Sequence, residues 1–322
     1  MSSSTFTRAS ALTRVLGQSG RRYIVERILQ DKPGNQGRVY LATSEGQKYI
    51  LKSVAPHDFK YFEDMFSDLR SSPYIRVSND AVPDKSVFVY KYLRDHLLSF
   101  VQKDVPLPIT KRILRDALRG IATLHDKGIV HTDIKANNIL VEWKEQEHSK
   151  DTTVEQVQVA DIEDAAYVPE GCVIKGRQVG NWMWRSPEAH AFADVHTPSN
   201  IFSFGLVCIY AMTKHVIFAV DEEEVPEGIE ILDIVLERQM SYFSDLEGIR
   251  GLIRYLGDSP WAQLIAMVAA DFNADNPRRP FMLWQNLDPT FKDLIVRMMN
   301  VGPTRRLTAK EALAHTWFAD IA

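Results

Sequence analysis

His131-Thr132-Asp133-Ile134-Lys135-Ala136-Asn137-Asn138-Ile139-Leu140 is the stretch whose reading decides the rest of the chain. It follows the apolar approach Gly128-Ile129-Val130 and runs into the apolar pair Ile139-Leu140. An aspartate, a lysine two residues on and an asparagine five residues on therefore form a polar cluster beside an apolar anchor. Transfer of a phosphoryl group needs these functions: a carboxylate for the hydroxyl proton, a cation for the phosphate, and an amide oxygen for a metal. As bare residues they also fit an ordinary polar loop. The apolar frame and the residues on either side favour chemistry.

Working outward, residues 109–125 place Ile113, Leu114, Ala117, Leu118, Ile121 and Leu124 on one helical face, with Gly128 as the stop. Before them the signals are strand-like, at residues 23–29, 38–43 and 47–54, with a turn around Ser44-Glu45-Gly46. Residues 58–69 read as a helix through Phe59, Phe62, Met65, Phe66 and Leu69, and 86–90 as a further strand. Beyond Leu93 the pattern turns helical. Residues 142–156 read as a solvated polar insertion between two short strands. Residues 199–212 are apolar enough to be a helix buried nearly all round. Thr308 with Glu311 three residues on forms a capping box at the start of the last helix. The fold class expected is α+β with two lobes. They are a small β-rich N-lobe over 21–90, a hinge over 91–93 and a larger helical C-lobe over 94–322. Residues 1–20 are read as a flexible tail.

Length and composition exclude several classes. With 322 residues, 45% hydrophobic and 25% charged, the chain is neither fibrous nor wholly disordered. A net charge of −4 offers no general electrostatic reason to bind nucleic acid or an anionic membrane. No apolar run approaches the roughly 18–20 residues of a membrane span. Two cysteines, Cys172 and Cys208, give neither a disulfide framework nor a zinc site, which points to a reducing intracellular compartment, the cytoplasm. The first 25 residues hold four arginines and no acid. That composition also fits a mitochondrial transit segment, the alternative to a tail.

The segment 131–140 resembles the catalytic loop of the eukaryotic protein kinases, His-Arg-Asp-Leu-Lys-x-x-Asn, in its serine/threonine form. The resemblance runs in motif order from Tyr23 to Phe318. It implies Asp133 as catalytic base, Lys135 on the transferred phosphate and Asn138 on a metal. Tyr49-Ile50-Leu51-Lys52 resembles the strand carrying the ATP-anchoring lysine, with Glu63 as its ion-pair partner and Asp58 or Asp64 as alternatives. Gly34-Asn35-Gln36-Gly37-Arg38-Val39 resembles the phosphate-covering loop with its first glycine missing, leaving Gly34, Gly37 and Val39 for that role. Asp161, in Val159-Ala160-Asp161-Ile162-Glu163, takes the place of the metal-binding aspartate. Lys91 and Leu93 belong to the hinge that would hold adenine, with Ile50 and Tyr90 as bulky pocket residues. Ser186-Pro187-Glu188 resembles Ala-Pro-Glu, its Glu188 paired with Arg306. Asn200 stands where the buried helix usually begins with aspartate.

The implied activity is ATP- and Mg²⁺-dependent phosphorylation of protein serine and threonine, with a protein substrate as partner. Two other readings stay open. Glu163 in place of glycine, Asn200, the depleted glycine loop and the narrowed pocket fit a pseudokinase scaffold or binding module. His-x-Asp-x4-Asn followed by an acid two residues after the metal aspartate fits a small-molecule phosphotransferase. Ser186-Pro187-Glu188, the buried helix and Arg306 argue against that third reading. Sequence leaves the oligomeric state open.

Overall fold

Runs of β-branched, aromatic and aliphatic residues mark the first strands, and in the computed structural model they build one antiparallel sheet. The structure describes residues 12–31, 37–145, 152–221, 223 and 225–321. The strands are β1 (Arg14–Leu16), β2 (Arg22–Asp31), β3 (Arg38–Ser44), β4 (Gln47–Ser53), β5 (Asp80–Val82) and β6 (Val87–Lys91), in sheet order β1-β2-β3-β4-β6-β5. Period-two alternation sends Tyr23, Tyr40, Ala42, Tyr49, Leu51, Val87 and Val89 into one buried cluster. Cross-strand pairing puts Val39, Lys52 and Phe88 in one row, and Leu41, Ile50 and Tyr90 in the next. Helix α1 (Phe59–Leu69) packs onto Phe88, with Phe59 stacked on it at 4.5 Å and Phe66 edge-on at 4.9 Å. Each such buried side chain contributes about 1.5–3 kcal/mol.

The chain divides into two compact units, Met1–Ser71 with Arg76–Leu93, and Ser72–Ile75 with Arg94–Ala322. Two boundaries differ from the sequence reading. Residues 72–75 go with the second unit, because Val159 N–H bonds the Tyr74 carbonyl at 2.9 Å and Ile75 bridges Val159. Arg14–Leu16 is a strand paired with Arg22–Ile24, so these residues belong to the sheet and not to a tail; residues 1–11 lie outside those described. Asp80 secures that edge, accepting from Tyr23 Oη at 2.9 Å, from the Ser19 amide at 3.1 Å and from the Ser19 hydroxyl.

The second unit is mainly helical. In order it holds β7 (Asp95–His96), α2 (Leu97–Phe100), α3 (Leu107–Asp126), β8 (Ile129–Val130), β9 (Ile139–Glu145), β10 (Thr152–Val159) and β11 (Ala166–Tyr167). Then follow α4 (Pro187–His190), α5 (Thr197–Thr213), α6 (Ile231–Phe243), α7 (Leu246–Leu256), α8 (Pro260–Asp271), α9 (Pro289–Met298) and α10 (Ala309–Leu313). Helix α3 buries the face carrying Ile113, Leu114, Ala117, Leu118, Ile121 and Leu124, and α5 is buried from Ser199 to Ala211. The capping box of α10 is present, Thr308 N–H donating to Glu311 Oε2 at 2.8 Å and Glu311 N–H to Thr308 Oγ1 at 3.2 Å. Of the polar stretch 142–156, residues 142–145 and 152–156 are strand, and residues 146–151, the rest of the expected insertion, lie outside those described. β9 and β10 pair from Ile139–Val159 out to Glu145–Thr152. Val141, Trp143, Val154 and Val157 face inward while the polar residues between them face out. No helix among the described residues is long and apolar enough to cross a membrane.

Candidate active site

The β9–β10 ladder ends at Ile139–Val159, and the Ala160 amide then donates to the Asn138 carbonyl at 2.8 Å. This closure sets Asn138 and Asp161 beside each other at the end of one hairpin. His131, fully buried, bonds the Ala160 carbonyl through Nε2 at 2.7 Å and fastens the loop 131–138 to the same hairpin end. Asn200 Oδ1 accepts from the His131 amide at 3.0 Å and pairs with His125 Nε2 at 3.2 Å. A neutral amide thus supports the loop from below, with its oxygen shared between two partners.

Asp133 stands at the centre. Its Oδ2 pairs with Lys135 Nζ at 2.5 Å and accepts from Asn138 Nδ2 at 3.3 Å; its Oδ1 accepts from the Asn181 amide at 3.0 Å. Asn138 Nδ2 also donates to the Asp133 carbonyl at 2.9 Å. The three residues picked from the sequence for this loop, Asp133, Lys135 and Asn138, are therefore brought into one hydrogen-bonded cluster. The loop's contact with Asn181 is a backbone bond that no side-chain pattern announces. Thr132 lies at φ +56°, and its hydroxyl donates to the Asp164 carbonyl at 2.6 Å.

Asp161 also lies in the left-handed region, at φ +59°, immediately before the 3-10 turn Ile162–Asp164. Such a conformation costs a non-glycine residue about 1–3 kcal/mol and persists only where its surroundings impose it. No group of three or more His, Cys, Asp or Glu among the described residues could hold a metal by itself. Asn138 and Asp161 nonetheless suit Mg²⁺, which binds one or two protein oxygens and completes its shell with water and phosphate oxygens. Both bonds formed by the Asn138 amide nitrogen leave its Oδ1 available as a ligand.

In the first unit, half-buried Lys52 sits on β4 opposite Val39 and Phe88. Glu63 pairs with Lys60 at 3.1 Å, and Lys60 also reaches Asp64 at 2.8 Å. This i, i+3 pair engages Oε2 of Glu63, the carboxylate that the sequence reading assigns to Lys52. Asp58 is the N-cap residue of α1. Gly37 has a local reason to be glycine: at φ +61°, a Cβ there would come within 2.1 Å of the Ser53 carbonyl. Gly34 lies outside the described residues. The Lys91 amide donates to Asn79 Oδ1 at 2.8 Å, and its carbonyl accepts from Arg76 Nη2 at 3.1 Å. A carbonyl has two lone pairs, so one acceptor position at Lys91 remains. Tyr90 is buried, with the Arg76 guanidinium 5.1 Å from its ring centre, and Leu93 is buried as well.

Glu188 and Arg306 form a buried fork, Nη1 to Oε1 and Nη2 to Oε2, both at 2.6 Å. Sequence reasoning found this pair and missed Arg185, a buried guanidinium bonded to the Val179 and Gly180 carbonyls.

A model of the protein kinase domain matches residues 33–318. The serine/threonine-protein kinase ssn3 of Aspergillus fumigatus is 25% identical over 355 aligned residues, covering 99% of this chain and 76% of that protein. The CaM kinase-like vesicle-associated protein of Xenopus laevis is 23% identical, over 94% of this chain and 64% of the relative. A solved crystal structure of a kinase domain superposes with a TM-score of 0.70 at 16% identity, over 96% of this chain and 98% of the other. That likeness shows the two-lobed α+β fold.

Proposed function

Since the chain belongs to the protein kinase domain family, we propose that it transfers the γ-phosphate of ATP, as the Mg²⁺ complex, to serine and threonine hydroxyls of proteins. The observation that supports this most is the Asp133 cluster: a carboxylate held by Lys135, Asn138 and the Asn181 amide. In this reading Asp133 takes the proton of the attacking hydroxyl. Lys135, already beside it, offsets charge on the transferred phosphoryl oxygens. Asn138 and Asp161 hold the metal, which neutralises phosphate charge when bound. Lys52, Gly34, Gly37 and Val39 hold the phosphates, Glu63 orients Lys52, and the backbone of Lys91 and Leu93 holds adenine.

The binding-module reading draws on Glu163. It is half-buried, in the same turn as Asp161, and adds negative charge beside the proposed metal carboxylate. Labelled ATP with Mg²⁺ or Mn²⁺, generic protein acceptors and small alcohols decides the matter. Label on serine and threonine of the protein acceptors is the expected result. Label on alcohols alone makes the chain a small-molecule phosphotransferase. ATP binding without any transfer makes it a binding module.

A further inference from the structure

The Gly180–Asn181 peptide is bonded on both sides. Its carbonyl accepts from Arg185 Nη2 at 2.6 Å, and its amide N–H donates to Asp133 Oδ1 at 3.0 Å. A peptide unit is a rigid plane, so fixing the direction of its C=O fixes the direction of its N–H. A charged donor on the carbonyl also polarises the unit and strengthens its N–H as a donor. The preceding carbonyl, Val179, accepts from Arg185 Nε at 3.0 Å, so the guanidinium clamps two successive peptides.

The clamp is itself held. Arg185 is 9% exposed, and its carbonyl accepts from Gln239 Nε2 of α6 at 2.9 Å. Ser186, the next residue, bonds Ser199 of α5 at 2.7 Å between hydroxyls. Gly180 permits the approach: at φ +82°, a Cβ there would come within 2.6 Å of the Thr132 carbonyl. Burial lowers the affinity of the Arg185 guanidinium for its proton, while the Asp133 charge opposes that loss.

We propose that Arg185 is a positioning residue: by holding the Val179 and Gly180 carbonyls it aims the Asn181 N–H that fixes the Asp133 carboxylate. The role in turnover rests on the phosphotransfer reading above; the geometric claim does not. Two measurements separate them. Hydrogen exchange at the Asn181 amide needs no activity. Arg185→Met should speed it by about tenfold or more, the weight of one charge-assisted bond, and Asp133→Ala should do the same. Arg185→Lys, which keeps one cationic donor, should fall between Arg185→Met and the parent. Unchanged exchange at Asn181 in an Arg185→Met protein of parental melting temperature would overturn the proposal.

Turnover on a generic protein acceptor is the second measurement. Asn181→Pro deletes the N–H at a backbone φ of −72° that proline accepts. Arg185→Met and Asn181→Pro should each lower kcat by up to about a hundredfold, the scale of a small misplacement of a reacting group, with KM for ATP unchanged. The double variant should turn over no more slowly than Asn181→Pro alone. Additive losses would show that Arg185 acts by another route and sink the proposal. A parent protein that transfers no phosphate defeats the phosphotransfer reading alone, and exchange at Asn181 then decides the clamp.

Discussion

Asp133 has donors on both carboxylate oxygens, so replacing it with asparagine cannot satisfy every neighbour: one of its two ends must present N–H to another N–H. That mismatch should cost about 1 kcal/mol, the worth of one hydrogen bond. In a chain of this size it moves Tm by at most about 2–4 °C. The loss of a proton acceptor should lower phosphotransfer by at least about a hundredfold. Calorimetry and a labelled-ATP assay on Asp133→Asn check both numbers, and parental activity would remove Asp133 from the role of base. Lys52 belongs to a different residue-level test. A ligand that binds only the native state raises stability with the logarithm of its concentration. If Lys52 anchors the phosphates, Lys52→Met should melt at the same temperature with and without ATP, whereas the parent should gain. An undiminished ATP shift in Lys52→Met would put the nucleotide elsewhere.

Among the elements, the segment after Asp161 is the one whose regulation follows from its bonds. Activation loops are commonly ordered by a phosphate pairing with arginine. Here Thr132 precedes the base, and its hydroxyl already ties the loop to the Asp164 carbonyl at 2.6 Å. Residues 161–185 contain no serine or threonine, and Tyr167 is their only hydroxyl. Phosphatase-treated protein should therefore match untreated protein in specific activity. A large loss that Tyr167→Phe reproduces would show a phosphate switch after all. The Thr132–Asp164 bond was not legible in the sequence, since it depends on a positive φ at a β-branched residue, which no pattern signals. Long periodic elements were legible: β3, β4, α1, α3 and α5 follow from where apolar residues recur. The three-residue strands β1 and β5 were not, because three residues are too few to show a period and each is fixed by pairing with a neighbouring strand, β2 and β6, rather than by its own composition. Within the site, Asp133, Lys135 and Asn138 could be found by residue type. The Asn181 amide and the Arg185 clamp could not, since backbone groups carry no sequence label.

For the molecule as a whole, the buried histidines set how stability varies with pH. Burial, joined by the nearby Arg185 charge, drives His190 down to about 4 against the opposing Leu232 backbone bond and Asp233 charge. Burial likewise drives His125 to about 4, against the opposing bond to Asn200, with His196 lowering and Asp126 raising it. In the unfolded chain each would titrate near about 6.5. Between about pH 6.5 and about pH 4 the unfolded state therefore binds more protons than the native state, and stability must rise with pH. The contribution is complete above the unfolded value and is lost as pH falls toward the folded one. Together the two histidines amount to a few kcal/mol at the acid end of that window. Glu311, held down by hydrogen bonds from Thr308, and Asp320, held down by Lys111, have their native-state protonation below the usual carboxylate range. Their contributions disappear mainly at lower pH, which leaves the upper part of the slope to the histidines. Urea unfolding of the parent should lose midpoint steadily from about pH 6.5 to about pH 5. His190→Leu removes the imidazole from a buried site beside Trp261, whose ring centre is 5.7 Å from that of His190. That variant should keep about half the slope, the share left to His125. If its midpoint falls with pH as steeply as the parent's, His190 is not neutral in the fold and the acid sensitivity has another source.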